Sequence, residues 1–244
     1  MKITAPYGYD EIVPLRKQHR VLVPSGSTPE FCRRLNAIAL SFSEFAAAGR
    51  DYPIVFASMD RGKTYAPVAV LGLEEGANLF IDASGEWDRA AYLPAFVRRY
   101  PFCISKLYVD GEPRSERVVC VAKAYVDPNG VALFGPGGEP TTRWRETEQL
   151  LAGYEADLDR TAQMCAALAQ LGLLAPFSMQ VLQGGATAVR LAGMHRVDEA
   201  RLKDLRPASH KVLVEKEFMG RIYAHLISLE NFSRLYARAV ARKR

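Results

Sequence analysis

Long apolar runs are missing from this 244-residue sequence. No window approaches the ~18 consecutive apolar residues that a membrane-spanning helix needs, so a spanning helix is excluded. Residues 1–10 contain neither the apolar core nor the cleavage site of a signal peptide. We therefore expect a soluble chain that stays in the cytoplasm.

Catalytic signatures are also missing. The sequence contains no nucleophile elbow, phosphate-binding loop, zinc-protease motif or dinucleotide-binding glycine motif. The Gly-rich residues 135–138 include Pro136, which lacks the amide hydrogen that a phosphate cradle would use, so we interpret them as a turn. These absences favour a binding protein over an enzyme. They do not exclude an enzyme, because catalytic groups often come together only in the fold.

Cysteine and histidine, which most often bind zinc, are scarce, with four of each. No two histidines have the i, i+4 spacing of a metal site, and no two cysteines are separated by two residues. We expect neither a metal nor a cofactor, and we expect reduced thiols in the cytoplasm. The cysteines are Cys32, Cys103, Cys120 and Cys165.

The net charge is mildly basic, at +5 with a pI near 9.0. Part of the excess lies at the C-terminal end, in Arg238, Arg242, Lys243 and Arg244. Such residues are typical of a solvated helix end, where cations oppose the partial negative charge, and a nucleic-acid-binding arm is the alternative. Because the sequence shows no dense basic stripe, we expect no nucleic-acid partner.

The composition is that of a globular protein, with 49% hydrophobic and 24% charged residues, which argues against disorder. We predict a single α+β domain over residues 1–244. It would begin with an extended arm at 1–30, whose short apolar run could add an edge strand. A strand-rich core at 52–134 and a helix-hairpin-helix region at 142–240 would follow.

The strand-rich core consists of apolar runs separated by glycines, which predicts an antiparallel meander. The predicted strands are 53–57, 67–71, 78–82, 102–109 and 117–126. Pro94 suits the first position of a short helix that reaches Val97. If the last two strands turn near Gly111, Cys103 faces Cys120, either as two buried thiols or as a redox-active pair.

Helix signals occur on both sides of the core. Ser41 and Glu44 have the spacing of a capping box, which predicts a helix over 42–48 that ends at Gly49. Apolar residues recur every three to four positions over 144–168 and predict the clearest amphipathic helix of the chain.

The C-terminal part is predicted to contain a hairpin and further helices. Residues 177–183 and 186–192 flank two glycines that could supply a hairpin turn. Asp198 is placed to cap a short helix, and Ser209 to start another. An apolar stripe predicts a last helix over 221–238.

Several candidate binding residues lie in the core. Asp82 has turn chemistry and is expected to bond its own backbone. Trp87 either anchors that turn or is exposed for recognition. Arg98 and Arg99, with Tyr100 beside them, could bind an anion or a partner's carboxylate. Solvated helix-end arginines are the alternative that we favour.

The last helix contains two further candidates. His225 is accompanied by polar residues on a largely apolar helix, and Ser228, three residues along, shares its face. The pair is a candidate for binding or chemistry. A hydrogen-bonded histidine in the core or facing a partner is the alternative that we favour.

The chain resembles the SapC family of bacterial proteins. The residues that carry the resemblance are 52–56, 68–73, 78–82 with Gly85 and Trp87, 92–102, 133–134, 138–141, the predicted helix that follows, Leu174, and 222–226 with 228–229. The most specific of these runs is centred on Pro94–Phe102, and the resemblance extends from about Val13 to Leu235. Residues 112–117 depart from the family's pattern.

The resemblance implies an association with bacterial surface layers. It also implies gene neighbours that encode outer-membrane receptors, flavin-dependent halogenases and cupin-like oxygenases. It brings no catalytic residue with it. We therefore expect a non-catalytic binding or accessory protein of an envelope or receptor-linked modification system, with a protein partner.

Two alternatives and one question stay open. The first alternative is an enzyme whose site is assembled from Asp82, Arg98, Arg99 and His225. The second is a component of surface-layer biogenesis. Whether the chain forms a homo-oligomer is left open.

Overall fold

The computed structural model describes residues 2–24, 28–58, 60, 62–109, 112–183 and 186–242. Helices and antiparallel sheets are both present, which confirms the predicted α+β class. The strands in this part of the chain are β1 Lys2–Ile3, β2 Ile12–Pro14, β3 Arg20–Val21, β4 Ala37–Ala39, β5 Ile54–Ala57, β6 Ala66–Val70, β7 Phe102–Val109, β8 Glu112–Ala122, β9 Val131–Ala132, β10 Leu174–Gln183 and β11 Ala186–Val197. The α-helices are α1 Phe45–Asp51, α2 Ala95–Arg98, α3 Thr142–Gln170, α4 Glu199–Lys203, α5 Pro207–Glu215, α6 Phe218–Ser228 and α7 Asn231–Arg242.

Internal contacts divide the chain into two compact units, each made of two stretches of sequence. Unit 1 consists of Met1–Cys32 and Ala95–Ala156, and unit 2 of Arg33–Pro94 and Asp157–Arg244. The long helix α3 therefore belongs to unit 1 up to residue 156 and to unit 2 beyond it. The single domain over 1–244 stays a prediction.

The sheet of unit 1 has the strand order β1-β7-β8-β2 in the residues described. β7 and β8 form the central hairpin, and the N-terminal arm adds a short strand at each edge. The apolar run that was expected to add an edge strand begins in β3, which pairs with β9 in a separate two-stranded sheet. Neighbouring residues of a strand point to opposite faces. Phe102 and Val121 therefore pack on one face, with Trp144 of α3, while Cys103 and Cys120 pack on the other.

The sheet of unit 2 has the strand order β10-β11-β5-β6-β4 across its described residues. Helix α6 packs against α1, β5 and β11. Gly49 lies where α1 meets α6, because a Cβ atom there would be 3.2 Å from the carbonyl oxygen of Ala224. The helix continues past Gly49 to Asp51, so the predicted end at Gly49 is wrong. The glycine permits close helix packing instead of ending a helix.

The start of this helical segment is as predicted. The backbone N–H and the hydroxyl of Ser41 both donate to the carboxylate of Glu44, each at 2.8 Å, and the capping box is confirmed. The first turn is a 3-10 helix over Phe42–Glu44, which continues directly as α1.

Residues 78–82 do not form the predicted strand. The side chain of Asn78 accepts the N–H of Phe80, and the side chain of Asp82 accepts the N–H of Glu86. Each of these side chains accepts a backbone N–H group that would bond to a neighbouring strand if residues 78–82 formed a strand. The chain therefore turns here. The predicted single meander is also wrong, because β5 and β6 belong to unit 2 and β7 and β8 to unit 1.

The predicted helix over 221–238 is divided into α6 and α7. The hydroxyl of Ser228 donates to the carbonyl of His225 at 2.6 Å. In a continuous helix this carbonyl would accept the N–H of Leu229. That N–H bonds to the carbonyl of Leu226 instead, at 3.3 Å. The tighter turn ends α6 and begins a new helix.

The remaining predicted elements are present with shifted ends. Helix α2 follows Pro94, α3 covers residues 144–168, and β10 pairs with β11. Asp198 caps α4 by accepting two backbone N–H groups. Helix α5 begins at Pro207, two residues before the predicted Ser209.

Some predictions concern residues outside the described part of the chain. These are the hairpin turn at 110–111, the glycine pair at 184–185 and the basic residues 243–244. Among the helices that are described, none is both long enough and apolar enough to cross a bilayer.

Candidate functional site

The candidate residues from the sequence fall in both units. Residues 98–100 belong to unit 1, whereas Asp82, Trp87, His225 and Ser228 belong to unit 2. Within unit 2 they form two groups. His225 and Ser228 are buried on α6, and Asp82 and Trp87 line an open cleft.

The imidazole of His225 is buried and hydrogen-bonded at both nitrogens. Nε2 accepts the N–H of Val197 at 3.0 Å, and Nδ1 lies 2.8 Å from the carbonyl oxygen of Ile54. Because Nε2 accepts, the proton is on Nδ1, which donates to that carbonyl. The register that pairs His195 with Phe56 sets Val197 opposite Ile54. The ring therefore lies between two strands, in place of a direct backbone hydrogen bond.

Burial lowers the pKa of His225 from its ordinary 6.5 to about 4. The hydrogen bond to Ile54 opposes this shift, and the charge of Arg196 adds to it. The ring is therefore neutral at pH 7, and both nitrogens are already bonded to the backbone. This geometry leaves His225 no free nitrogen for a ligand or a proton transfer, and it gives the residue a structural role.

Ser228 and Asn231 continue the polar stripe of His225 at intervals of three residues. The hydroxyl of Ser228 accepts the N–H of Ile54 at 2.9 Å, so both backbone groups of Ile54 are bonded by this stripe. The side-chain amide of Asn231 donates to two carbonyls near the end of α1, including that of Tyr52 at 3.2 Å. Sequence reasoning missed Asn231, although its spacing from His225 was the available signal.

An open cleft of about 760 Å³ lies between the turn at residues 79–89 and the C-terminal part of α7. We call it the 79–89 cleft. The turn supplies Asp82 and Trp87, and the helix supplies Arg238 and Arg242. Acidic, basic and apolar side chains thus face the same space.

The turn side of the cleft is fixed by hydrogen bonds. Trp87 is buried, and its indole N–H donates to the hydroxyl of Tyr52 at 3.0 Å. Asp82 accepts the hydroxyl of Ser84 at 2.6 Å and the N–H of Glu86 at 3.0 Å, and these bonds lower its pKa. The expected turn chemistry of Asp82 is confirmed. Trp87 was predicted either to anchor the turn or to be exposed for recognition, and the structure shows that it anchors the turn.

The helix side of the cleft is tied to the same turn. Arg238 forms an ion pair with Asp88 at 2.7 Å, and its guanidinium carbon lies 4.4 Å from the ring centroid of Phe80. Arg242 donates to the carbonyl of Ile81 in the turn at 3.1 Å and to that of Asn78, just before the turn, at 2.6 Å. Both arginines are exposed, as expected for a solvated helix end, and in addition each is bonded to the segment that forms the cleft. Sequence reasoning did not predict these bonds because their acceptors are distant in the chain.

A smaller hollow of about 270 Å³ adjoins the cleft and shares Leu79 and Arg242 with it. Arg33 and Glu74 contribute charges to its lining. The guanidinium of Arg33 packs directly on Gly85, because a Cβ atom at Gly85 would lie 2.0 Å from Nη2. Gly85 has a positive φ of 93°, so the residue suits both the turn and this close approach.

The three candidates of unit 1 differ in exposure. Arg98 is exposed, Tyr100 is half-buried and Arg99 is only 5% exposed. The favoured expectation of solvated arginines is therefore wrong for Arg99. Its guanidinium carbon lies 4.7 Å from the ring centroid of Phe96 and 4.8 Å from that of Tyr154. In the described part of the chain, its buried Nε has no hydrogen-bond acceptor.

Cys103 and Cys120 are direct partners across β7 and β8, as predicted. Burial raises the pKa of Cys103 to about 12 and that of Cys120 to about 11. Protonated thiols are poor nucleophiles, so this environment favours two buried thiols over a redox pair. Within the described residues, no cluster of His, Cys, Asp and Glu is placed to hold a metal ion.

Comparison with known protein families matches residues 16–235 to the SapC family. The matched range includes the turn at 79–89 and the polar stripe of α6, and it ends before Arg238 and Arg242. Comparisons with curated proteins and with solved structures returned no match.

Proposed function

The chain belongs to the SapC family, and we propose that it is a non-catalytic binding protein that acts in the cytoplasm. It would serve as an accessory component of a bacterial envelope or outer-membrane-receptor-linked modification system. The observation that carries the proposal is the 79–89 cleft, whose walls are fixed by internal bonds. We assign to this cleft a polypeptide segment of a partner protein.

The cleft is preorganised. Trp87 is held by Tyr52, and Arg238 is held by Asp88, before any partner arrives. A surface that is already ordered loses little conformational entropy when it binds, so more of the contact energy contributes to affinity. Rigid walls of this kind support a recognition role for the turn.

The lining favours a polypeptide over a small molecule. Sites for small molecules usually enclose most of the ligand. This cleft is open and presents Asp82 and Glu86 together with Arg89 and Arg242. A peptide segment with charged side chains of both signs complements such walls, and complementary charges give specificity at interfaces.

The state of His225 supports binding over the enzyme alternative. That alternative needs an imidazole that exchanges protons with a substrate. In this structure the ring bonds Ile54 and Val197, and burial holds its pKa at about 4. A general acid or base would have to come from another residue.

Capture of partners from the native host by the tagged full chain tests the proposal. Ala241 lines the cleft and is exposed, so Ala241→Trp should fill the cleft without disturbing the core. Ala237 is exposed one turn earlier on α7 and does not line the cleft, so Ala237→Trp is the matched control.

We expect a protein that is captured by the wild type and by Ala237→Trp and is lost with Ala241→Trp. Equal capture by the two variants would remove the cleft as the binding surface. Recovery of no specific protein by the wild type would contradict the binding function itself.

A further inference from the structure

Arg99 is a buried cation whose backbone is fixed on both sides. Its N–H bonds to the carbonyl of Ala95 at 3.0 Å, and its own carbonyl accepts the N–H of Phe102 at 2.8 Å. The residue is 95% buried, since 5% of its surface is exposed. The side chain therefore starts from a fixed point and extends through the interior of unit 1.

Three aromatic rings surround the guanidinium group. Its carbon lies 4.7 Å from the ring centroid of Phe96, 4.8 Å from Tyr154 and 5.9 Å from Tyr9. Ring faces attract a cation and offset part of the free energy that is lost when its water is removed. They do not replace hydrogen bonds, and the hydroxyl of Tyr9 donates to the carbonyl of Phe102 at 2.7 Å.

Glu155 of α3 is bonded to a different arginine. Glu155 and Arg99 both act electrostatically on the thiol of Cys103, and Glu155 forms an ion pair with Arg117. Within the described residues, the buried Nε–H of Arg99 has no acceptor. A buried charge normally needs a counter-charge and hydrogen bonds to its donors. Arg99 has aromatic neighbours, but its Nε–H lacks a hydrogen-bond acceptor in the part of the chain that the structure describes.

We propose that Arg99 anchors a binding site for a carboxylate, which would accept hydrogen bonds from Nε–H and from one Nη–H. This edge of a guanidinium group matches the two oxygens of a carboxylate. A carboxylate carries one negative charge and would neutralise Arg99. A phosphate group carries nearly two negative charges at neutral pH. The single positive charge of Arg99 would neutralise only one of them, and the rest would be buried without a partner. The site is independent of the 79–89 cleft.

The Nε–Hε resonance of Arg99 reports directly on this edge, and ¹⁵N–¹H NMR of the full chain tests the proposal. Sodium formate is titrated at constant pH and ionic strength, with sodium chloride as the reference. We expect a saturable downfield shift of Hε with formate and no shift with chloride. The resonance is identified by its loss in Arg99→Lys. Arg98→Lys, at the exposed neighbour, is the control that should retain both the resonance and the shift.

A second pair of probes distinguishes the source of the carboxylate. N-acetylglycine resembles the end of a polypeptide, and N-acetylglycinamide has the same shape without the charge. Tighter binding of N-acetylglycine than of formate would assign the C-terminus of a polypeptide, and equal or weaker binding would assign a small carboxylic acid. A response to the amide as strong as that to N-acetylglycine would overturn the proposal.

Three further results would overturn the proposed carboxylate site. These are no saturable shift with either carboxylate, an equal shift with chloride, and a stronger response to inorganic phosphate. If Arg99→Lys does not fold, Phe96→Leu identifies the resonance instead, because removing the nearby ring changes the shift of Hε.

Discussion

His225 and Ile54 are joined across 171 residues of sequence by a hydrogen bond of 2.8 Å from Nδ1–H to the backbone carbonyl. On its other side the same ring accepts the N–H of Val197 at 3.0 Å. One side chain thus satisfies two backbone groups in the interior of unit 2. The imidazole takes the place of a backbone hydrogen bond at the point where β5 and β11 separate.

Replacing His225 with alanine should therefore destabilise the protein. Each buried backbone group that loses its partner costs roughly 1–3 kcal/mol, and both Ile54 and Val197 are affected. We expect the free energy of unfolding in urea to fall by about 3–5 kcal/mol once the cavity is included. His210→Ala, at a half-buried histidine of α5, is the control. An unchanged urea midpoint in His225→Ala would contradict the structural role.

The same residue should make stability depend on pH. The pKa of His225 is 6.5 in the unfolded chain and about 4 in the folded chain. Between these values the unfolded chain binds more protons, so the free energy of unfolding rises with pH. The contribution is fully present above about pH 6.5 and is lost as the pH falls towards 4. A shift of this size corresponds to roughly 3 kcal/mol.

Urea unfolding of the wild type and of His225→Gln, from pH 4 to pH 7, measures this dependence. The variant lacks the titrating ring, so its stability should rise less steeply over that range. Parallel curves for the two proteins would show that another group causes the dependence.

Sequence reasoning succeeded where the interacting residues are close in the chain. Ser41 and Glu44 are three residues apart, and their predicted capping bond is present at 2.8 Å. Cys103 and Cys120 belong to one hairpin, so their pairing followed from the position of the turn. In these cases the local pattern contains both partners of the interaction.

Sequence reasoning failed where a group that is distant in the chain determines the role of a residue. Gly49 has the local pattern of a helix end, but the backbone of Ala224 approaches it and explains why no side chain is present. The favoured interpretation of His225 as a hydrogen-bonded core residue is confirmed, whereas that of Arg99 as a solvated residue is wrong. Their surroundings could not be predicted, because the contacts come from segments that only the fold brings together.

Two of the helical glycines, Gly49 and Gly153, provide a matched test of this interpretation. Alanine is favoured over glycine inside a helix by up to about 1 kcal/mol. A Cβ atom at Gly153 meets nothing within 4 Å, whereas one at Gly49 lies 3.2 Å from the carbonyl oxygen of Ala224. We expect Gly153→Ala to raise the thermal midpoint and Gly49→Ala to raise it less or to lower it. An equal gain at both sites would show that Gly49 is not required for packing.

The cysteines should behave as buried thiols. Burial raises the pKa of Cys103 to about 12 and of Cys120 to about 11, so native protein should react slowly with a thiol reagent. In denaturant all four cysteines should react. Mild treatment with hydrogen peroxide before denaturation should leave that count unchanged. A loss of two thiols that Cys103→Ser prevents would instead indicate a redox pair.

The turn that forms the 79–89 cleft should depend on the bond between Trp87 and Tyr52. The indole N–H donates to the hydroxyl of Tyr52 at 3.0 Å, and that hydroxyl donates in turn to the carbonyl of Tyr92. Trp87→Phe and Tyr52→Phe each remove the shared bond, so the double variant should be less destabilised than the two single effects combined. A coupling of about 1 kcal/mol is expected for a buried neutral hydrogen bond. Urea unfolding of all four proteins measures it, and strict additivity would show that the bond contributes nothing to holding the cleft wall.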